Sequence, residues 1–231
     1  NYASATPSNA VARLQEQINA GKEKLAFSAE HGYLPSLLKA LNVPTSSQTL
    51  VFSKTSLQLH RISPKKPRAL YFNDEVYIGY CQQGDVLEIS AADTDLGAVF
   101  YSLRQVEAVQ PKIQRHTDAC LICHGSSLTK GVPGHLVRSV YTDPSGTPNL
   151  AFGTHRIDQT SPFEKRWGGW FVTGTHGKQK HLGNFLLREE NSPEEVRNDQ
   201  GQNVTDLKDR CDTSAYLTGH SDIVALLVLE H

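Results

Sequence analysis

The chain lacks several features that would each point to a particular kind of protein. It contains no methionine, so no thioether sulfur within its 231 residues can bind a metal ion. No apolar run approaches the roughly 18 residues of a membrane-spanning helix, and the longest candidate lies at 223–229. A formal net charge of −1 provides no field that would attract nucleic acid or an acidic membrane surface. We therefore expect a globular protein that binds no nucleic acid and has no membrane span.

What is present suits one compact domain with additions, or two small domains. Hydrophobic residues make up 38% of the chain and charged residues 20%, as is usual for globular proteins. The first residue is Asn1 rather than Met, so we expect the chain to begin after processing or trimming, with any export signal already removed. Because the chain stops at His231, inside an apolar segment, we expect the natural protein to continue beyond it.

Helical and strand patterns in the first half of the chain predict an α+β fold. Helices are predicted over 9–20 and 35–41, from apolar residues on one face, capping residues and an early proline. Segments with a period of two follow at 50–59, 69–72, 76–80, 86–90 and 99–106. They predict an antiparallel β-meander of about four or five strands with flanking short helices. The arrangement looks somewhat like a PAS-type sensor sheet, which is an analogy of fold and does not fix function.

From residue 111 onward the sequence is rich in loops and in glycine, histidine and arginine. Short strands are predicted at 136–141, 150–155 and 167–173, and a helix at 222–230. The predicted organisation is a helical segment at 1–48, an antiparallel sheet at 49–110 and a third segment at 111–231. We expect the third segment, which carries the motif described next, to form one compact domain with the sheet.

Cys120, Cys123 and His124 form the motif with the clearest chemistry. The run Cys-Leu-Ile-Cys-His matches the attachment pattern of haem c. On one helical turn the two cysteines face the same side and can reach the two vinyl groups of a haem. The adjacent His124 can then bind the iron through a ring nitrogen. We therefore predict one covalently bound haem c, with His124 as proximal ligand, on a fold that is not the all-helical cytochrome c fold.

A zinc half-site, a disulfide and a thioredoxin-like redox pair can use the same cysteine spacing. Zinc sites usually have four ligands in paired clusters, and the chain has no second cysteine pair at this spacing. A thioredoxin-like pair is expected in a βαβ setting, whereas a β-meander precedes this motif. Haem attachment is therefore the favoured interpretation. It implies an exported, periplasmic location, because bacteria attach haem c outside the cytoplasm.

The other two cysteines, Cys81 and Cys211, lie at a predicted strand end and in a predicted loop. The favoured interpretation is a disulfide that ties the C-terminal segment to the sheet, as expected in an oxidising compartment. The alternatives are two buried thiols, or one thiolate acting as an unusual metal ligand.

The distal iron ligand must be a side chain other than methionine, or water, or the site is open. His176 is the first candidate, because the glycines that flank it let the backbone approach a flat macrocycle closely. His135, in a similar glycine-rich segment, is the second candidate for the same reason. His155 and His181 follow.

Trp167, Trp170 and Arg166 are candidates for the haem pocket. The two indole rings, the only tryptophans of the chain, could wall the haem, and packing in a protein core explains them equally well. Arg166, like Arg138 and Arg156, could pair with a haem propionate. Pairing with local acidic residues is at least as good an explanation for each arginine.

The sequence from residue 50 to its end resembles cytochrome-c-domain proteins of the planctomycete and proteobacterial type. The motifs that carry the resemblance are FSKTS at 52–56, ALYFND at 69–74, GDVLE at 84–88, CLICH at 120–124, GVPGH at 131–135, SPFEKRWGGW at 161–170, TGTHG at 173–177 and HSDIVAL at 220–226. The resemblance covers roughly three quarters of the chain and implies haem c binding rather than a particular activity. It also implies that residues in these motifs, His135 and His176 among them, line or frame the haem.

These observations favour a periplasmic monohaem c-type cytochrome that acts in electron transfer or as a redox module. The expected haem is six-coordinate and low-spin, with two histidine ligands. Its partner would be a redox protein or a small-molecule ligand of unknown identity. The alternatives are a haem-based gas or redox sensor, and a peroxidase-like haem oxidoreductase with an open distal site. Whether the chain is an enzyme is left open at this point.

Overall fold

The computed structural model describes residues 2–118, 120–125, 129, 131–188 and 197–231, without the side chain of Cys123. Its fold is α+β, as the sequence predicts. The strands are β1 (Thr49–Val51), β2 (Arg68–Phe72), β3 (Val76–Tyr80), β4 (Val86–Asp93), β5 (Gly97–Arg104), β6 (Ile113–His116), β7 (Val137–Val140), β8 (Thr154–Ile157) and β9 (Trp170–Phe171). Seven of them form an antiparallel sheet in the order β6-β5-β4-β3-β2-β1-β9, and β7 pairs with β8 in a separate two-stranded sheet.

The helices are short, and their ends are set by capping residues. They are α1 (Ala10–Asn19), α2 (Leu34–Ala40), α3 (Leu121–His124) and α4 (Ile223–Leu229). The side chains of Asn9 and Asp222 cap α1 and α4 by accepting hydrogen bonds from backbone N–H groups of the first turn. Among the described residues, no helix is both long and apolar enough to cross a membrane.

The central hairpins follow the sequence pattern closely. The turn between β2 and β3 forms at Asn73, whose side chain accepts hydrogen bonds from the N–H groups of Glu75 and Val76. Strands β4 and β5 pair along their whole length from Val86↔Arg104 to Asp93↔Gly97. The sheet is wider than predicted, since it also contains β6 and the two-residue strand β9. Of the strand predicted at 167–173, only the two residues of β9 are in strand conformation.

The predicted strand over residues 50–59 is largely wrong. Strand β1 ends at Val51, and the N–H groups of Phe52 and Ser53 both donate to the carbonyl of Gly169 instead of to a neighbouring strand. The next N–H, that of Lys54, donates to the Gly146 carbonyl. These loop partners end the ladder, so the β-like sequence that follows lies in turns and one 3₁₀ turn.

The chain forms two compact units whose boundaries differ from the three segments expected from the sequence. Unit 1 contains residues 1–45, 71–80 and 84–136, and unit 2 contains residues 46–70, 81–83 and 137–231. The helices α1 and α2, the strands β3 to β6 and the Cys120–His124 turn all belong to unit 1.

The sheet of unit 1 has two differently used faces. On one face, α1 contacts the strands, and the Asn9 amide donates hydrogen bonds to Tyr101 and Asp93. On the other face, register places four side chains in one row across β3, β4, β5 and β6, namely Tyr77, Ser90, Phe100 and His116. This row is the surface on which the candidate site is built.

Candidate functional site

The Cys120–His124 segment forms a single helical turn in unit 1. The N–H of His124 donates to the carbonyl of Cys120 at 3.0 Å, which is the spacing of one α-helical turn. Gly125 follows, and its N–H donates to the Leu121 carbonyl. The backbone therefore has the geometry in which residues 120 and 123 lie on one side of a helix.

A backbone carbonyl fixes the ring of His124. Its Nδ1 lies 2.9 Å from the carbonyl oxygen of Gly134, and since a carbonyl can only accept, Nδ1 carries the hydrogen. In the neutral imidazole the lone pair is then on Nε2, the nitrogen through which such a histidine binds a metal. The His124 ring packs on Phe100, with 4.8 Å between ring centroids.

The segment 131–135 closes back on this turn and is itself attached to the sheet. The Gly134 N–H donates to the carbonyl of His124 at 2.9 Å, so Gly134 bonds to both the backbone and the ring of that residue. The preceding carbonyl, of Pro133, accepts a hydrogen bond from Ala98 at the start of β5. Gly97 faces the same carbonyl so closely that a Cβ there would lie 2.4 Å from it.

His135 anchors the other side of Gly134. Its Nε2 hydrogen-bonds the Ser90 hydroxyl at 2.5 Å, and its ring lies 4.2 Å from that of Tyr77. Desolvation by the surrounding protein, and secondarily the charge of His124, lower the pKa of His135 to about 4, although one side of the residue stays exposed. At neutral pH His135 is therefore an uncharged hydrogen-bonding partner of the sheet.

Two apolar side chains in or near the Cys120–His124 turn are exposed to solvent. Ile122 is 78% exposed and Val132 is 58% exposed, whereas Phe100 beneath His124 is only 6% exposed. Cys120 is partly buried and is not in a disulfide. It lies near Tyr2, whose pKa is raised mainly by burial and to a smaller extent by Cys120. An exposed apolar surface around a histidine suits a flat hydrophobic group.

The structure gives His176 partners of its own within unit 2. Its Nε2 accepts a hydrogen bond from the Asn203 N–H at 3.1 Å, and its Nδ1 is buried. The ring packs against His181 and Phe163 at 4.7 and 5.7 Å. The Nε2 of His176 is thus occupied within unit 2, and its Nδ1 is shielded from solvent.

Close packing accounts for some of the glycines in the motifs around His176. A Cβ at Gly174 would lie 2.6 Å from Ile223, at the start of α4. Gly168 and Gly169 likewise allow close approach to Val140 and Ser53. A Cβ at Gly177, the other glycine that flanks His176, would meet nothing within 4 Å, so packing accounts for Gly174 but not for Gly177.

Trp167, Trp170 and Arg166 are core residues of unit 2. The indole N–H of Trp167 donates to the Glu230 carboxylate, and that of Trp170 donates to the Arg138 carbonyl. Arg166 pairs with Glu230 and also donates to backbone carbonyls of the loop before it. Their burial is explained without a haem, so their assignment to a haem pocket rests on the sequence alone.

The predicted disulfide between Cys81 and Cys211 is wrong. Both residues are buried, and neither is in a disulfide. Burial raises the pKa of the Cys211 thiol to about 11, which keeps it protonated and makes it a poor metal ligand. The alternative of two buried thiols describes the structure.

Sequence reasoning missed the residues beneath the motif. Ser90, Phe100 and Tyr77 belong to three strands, and only the strand register brings them together under His124 and His135. The glycine-rich sequence around His135 indicates backbone freedom, but it does not show that the Gly134 carbonyl contacts His124. The period of two in β4 and β5 indicated which residues share a face, but not what covers it.

Comparison with known protein families, curated proteins and solved structures finds no match to this chain. Within the described part of the chain, no three His, Cys, Asp or Glu side chains are grouped so as to hold a metal ion by themselves. A haem needs fewer protein ligands than a bare metal ion, because the porphyrin supplies four of the iron ligands and the protein only one or two.

Proposed function

We propose that this chain is an exported monohaem c-type cytochrome, in which haem c is bound through Cys120 and Cys123 and its iron through His124. Its role is that of an electron-transfer or redox module, and its partner is a redox protein or a small-molecule ligand. The export follows from the cofactor, because haem c is attached in an oxidising compartment outside the bacterial cytoplasm.

The single observation that carries this proposal is the hydrogen bond from His124 Nδ1 to the Gly134 carbonyl. Metal-ligating histidines almost always donate their other ring N–H to a carbonyl, a carboxylate or water, which orients the ring and raises its basicity. Here that bond belongs to the histidine of a Cys-Leu-Ile-Cys-His sequence. The helical turn and the exposed Ile122 add support, since both suit a covalently held apolar macrocycle.

The residues present fit a haem better than a bare ion. Cys120 and His124 lie on one turn, and Val132 joins Ile122 as exposed apolar surface near it. Bound there, the haem would supply a one-electron iron couple. Cys120 and Cys123 would hold the haem by their sulfurs, while Gly134 and Phe100 fix the His124 ring that would bind its iron.

Covalent attachment is tested by extraction. The full chain is expressed with a haem c maturation system, purified and treated with acidified organic solvent. We expect the pigment to stay with the protein, and to become extractable or absent in the double variant Cys120→Ala/Cys123→Ala. Cys81→Ala, at a buried cysteine outside the motif, is the control and should retain covalent haem. Colourless wild-type protein would refute the proposal.

A ligand-binding role is the second candidate, and the position of His135 favours it. Gly134 bonds the Nδ1 side of His124, so the adjacent His135 lies on the proximal side and not opposite the iron-binding nitrogen. His176 is held by Asn203. These contacts suit an open distal site, which is the arrangement a gas sensor or a haem oxidoreductase with an exchangeable site would use.

Absorption spectra before and after CO addition separate these roles. Low-spin bands that CO does not change indicate electron transfer, and ready CO binding indicates sensing or catalysis. We expect His176→Ala to leave the spectrum of the reduced protein unchanged, because the Nε2 of His176 accepts a hydrogen bond from Asn203 and its Nδ1 is buried within unit 2. A change from low-spin to high-spin bands in this variant would instead identify His176 as the distal ligand.

A further inference from the structure

The Gly134 carbonyl, which holds His124, is itself held from both sides by the sheet. On one side the Pro133 carbonyl accepts a hydrogen bond from Ala98 of β5 at 2.8 Å. On the other side His135 Nε2 bonds Ser90 of β4 at 2.5 Å. The position of the carbonyl oxygen that contacts His124 Nδ1 is thus set by two neighbouring strands.

We propose that the Ser90–His135 pair is a positioning device that sets the strength of the His124 Nδ1–H hydrogen bond, and through it the reduction potential of the haem. This inference rests on the proposed function and deepens it. It assigns His135 to the proximal side, as a residue that acts through Gly134, in place of the predicted role as a distal ligand.

The packing of His135 supports this role. Its ring lies over Tyr77 at 4.2 Å and beside Phe100 at 6.3 Å, and Phe100 also carries the His124 ring. Ser90 is 8% exposed, so its hydroxyl is a rigid partner in the sheet and not a mobile surface group. The lowered pKa of His135 keeps the ring neutral. The Nε2 of a neutral ring can either accept a hydrogen bond from a serine hydroxyl or donate one to it.

The expected effect follows from the chemistry of imidazole. A strong hydrogen bond from Nδ1–H makes the ring more basic, and a more basic proximal ligand favours oxidised iron over reduced iron. If the Ser90–His135 bond is removed, the Gly134 carbonyl loses one of its two anchors and its bond to His124 weakens. The reduced state then becomes relatively more stable, so the reduction potential rises.

The chain offers a matched control on the same face of the sheet. Ser102 is 7% exposed and bonds His116 Nε2 at 2.7 Å, just as Ser90 bonds His135, but His116 is not attached to Gly134. Ser90→Ala and Ser102→Ala therefore remove similar serine–histidine hydrogen bonds, of which the first involves the residue that follows Gly134. Both are compared by redox titration of the purified, haem-loaded full chain, followed by absorbance.

We expect Ser90→Ala to shift the reduction equilibrium toward the reduced form by about tenfold, which is about 59 mV for one electron. Ser102→Ala should leave it unchanged. His135→Phe keeps the ring contact with Tyr77 and should give the same shift as Ser90→Ala. His135→Gln, whose amide can still reach Ser90, should restore most of the wild-type potential.

The double variant Ser90→Ala/His135→Phe makes the test decisive. We expect it to shift the potential no further than either single variant, because all three lose the same bond. Additive shifts, equal shifts in Ser90→Ala and Ser102→Ala, or no shift would overturn the inference. So would loss of haem from Ser90→Ala and His135→Phe alone, since the pair would then only be needed for folding. Failure of the proposed function is recognised separately, by wild-type protein without covalent haem.

Discussion

At the scale of single residues, the histidines of this protein differ because of their surroundings and not their sequence context. His124 donates from Nδ1 to a carbonyl, whereas His181 accepts at Nδ1 from the Gly183 N–H at 3.0 Å. His135 and His176 sit in similar glycine-rich sequences, yet one bonds a strand serine and the other a loop amide. The role of each ring is decided by which backbone groups surround it.

His181 predicts a pH dependence of stability in unit 2. It is 2% exposed, packs on Trp167 at 5.2 Å, and desolvation together with His176 lowers its pKa to about 3. Above pH 6.5 the residue is neutral in both folded and unfolded protein, so it has no effect. As pH falls below 6.5 the unfolded chain takes up a proton first, and stability is lost, by about 2 kcal/mol at pH 5.

Denaturant unfolding at pH 7.5 and pH 5, followed by tryptophan fluorescence, measures this dependence, because both tryptophans lie in unit 2. His181→Asn should be less stable than the wild type at pH 7.5 but lose less stability on acidification. His60→Asn, at an exposed position, is the control and should retain the wild-type pH dependence. A pH dependence that is equal in wild type and His181→Asn would contradict the assignment.

At the scale of elements, strand β5 carries much of the candidate site. Its first residue, Gly97, lies beside the Pro133 carbonyl, and the N–H of its second residue, Ala98, donates to that carbonyl. The ring of Phe100 packs against the ring of His124. Ser102 then pairs with His116 of β6. One strand thus contacts the segment around Gly134 at its start and the His124 ring near its middle.

Gly97 tests whether this contact matters. It has φ +72, and a Cβ would lie 2.4 Å from the Pro133 carbonyl, so Gly97→Ala has to strain the backbone and displace the 131–135 segment. We expect it to lower the unfolding free energy by about 2–4 kcal/mol. Gly21→Ala is the matched control, because Gly21 has φ +67 and nothing within 4 Å of the added Cβ. It should cost only about 1 kcal/mol, from the backbone conformation alone.

Chemical denaturation of the two variants under identical conditions gives the comparison. The difference between them isolates the clash with Pro133, since both carry the same kind of backbone strain. Equal losses of stability would mean that the segment yields freely and that β5 does not position it.

At the scale of the whole molecule, residues far apart in sequence meet within each compact unit. Unit 1 gathers three stretches of chain, and unit 2 gathers three others. In unit 2 the carboxylate of Glu230, 5% exposed, reaches back to Arg166 and Trp167. The C-terminal helix α4 is thereby attached to the loop before β9.

Removing one partner of this buried pair should destabilise the protein strongly. We expect Glu230→Ala to lower the unfolding free energy by about 3–5 kcal/mol, because it leaves the Arg166 charge buried without its carboxylate. Asp199→Ala is the control, since it removes an exposed partner of Lys180 in the same unit. That exposed pair should contribute no more than about 1 kcal/mol. Similar losses in the two variants, measured by denaturant unfolding, would show that burial of the Glu230 pair has no special importance.

The sequence predicted the elements that depend on local chemistry. The helices at α1, α2 and α4 begin at or next to the expected residues, because capping side chains and an early proline act within one turn. The β2–β3 hairpin follows from Asn73 for the same reason. The strand expected over 50–59 failed, because its ladder is ended by loop carbonyls that come from residues 146 and 169.

The same distinction between local and long-range contacts applies to the candidate site. Spacing alone identified Cys120, Cys123 and His124, since a tether to a macrocycle depends on one helical turn. Spacing could not show that Gly134 supplies the carbonyl behind His124, or that Ser90 holds His135. Nor could it show that Trp167 and Arg166 are engaged by Glu230. Those contacts join residues up to 64 positions apart, so strand register and packing, which only the tertiary structure contains, decide them.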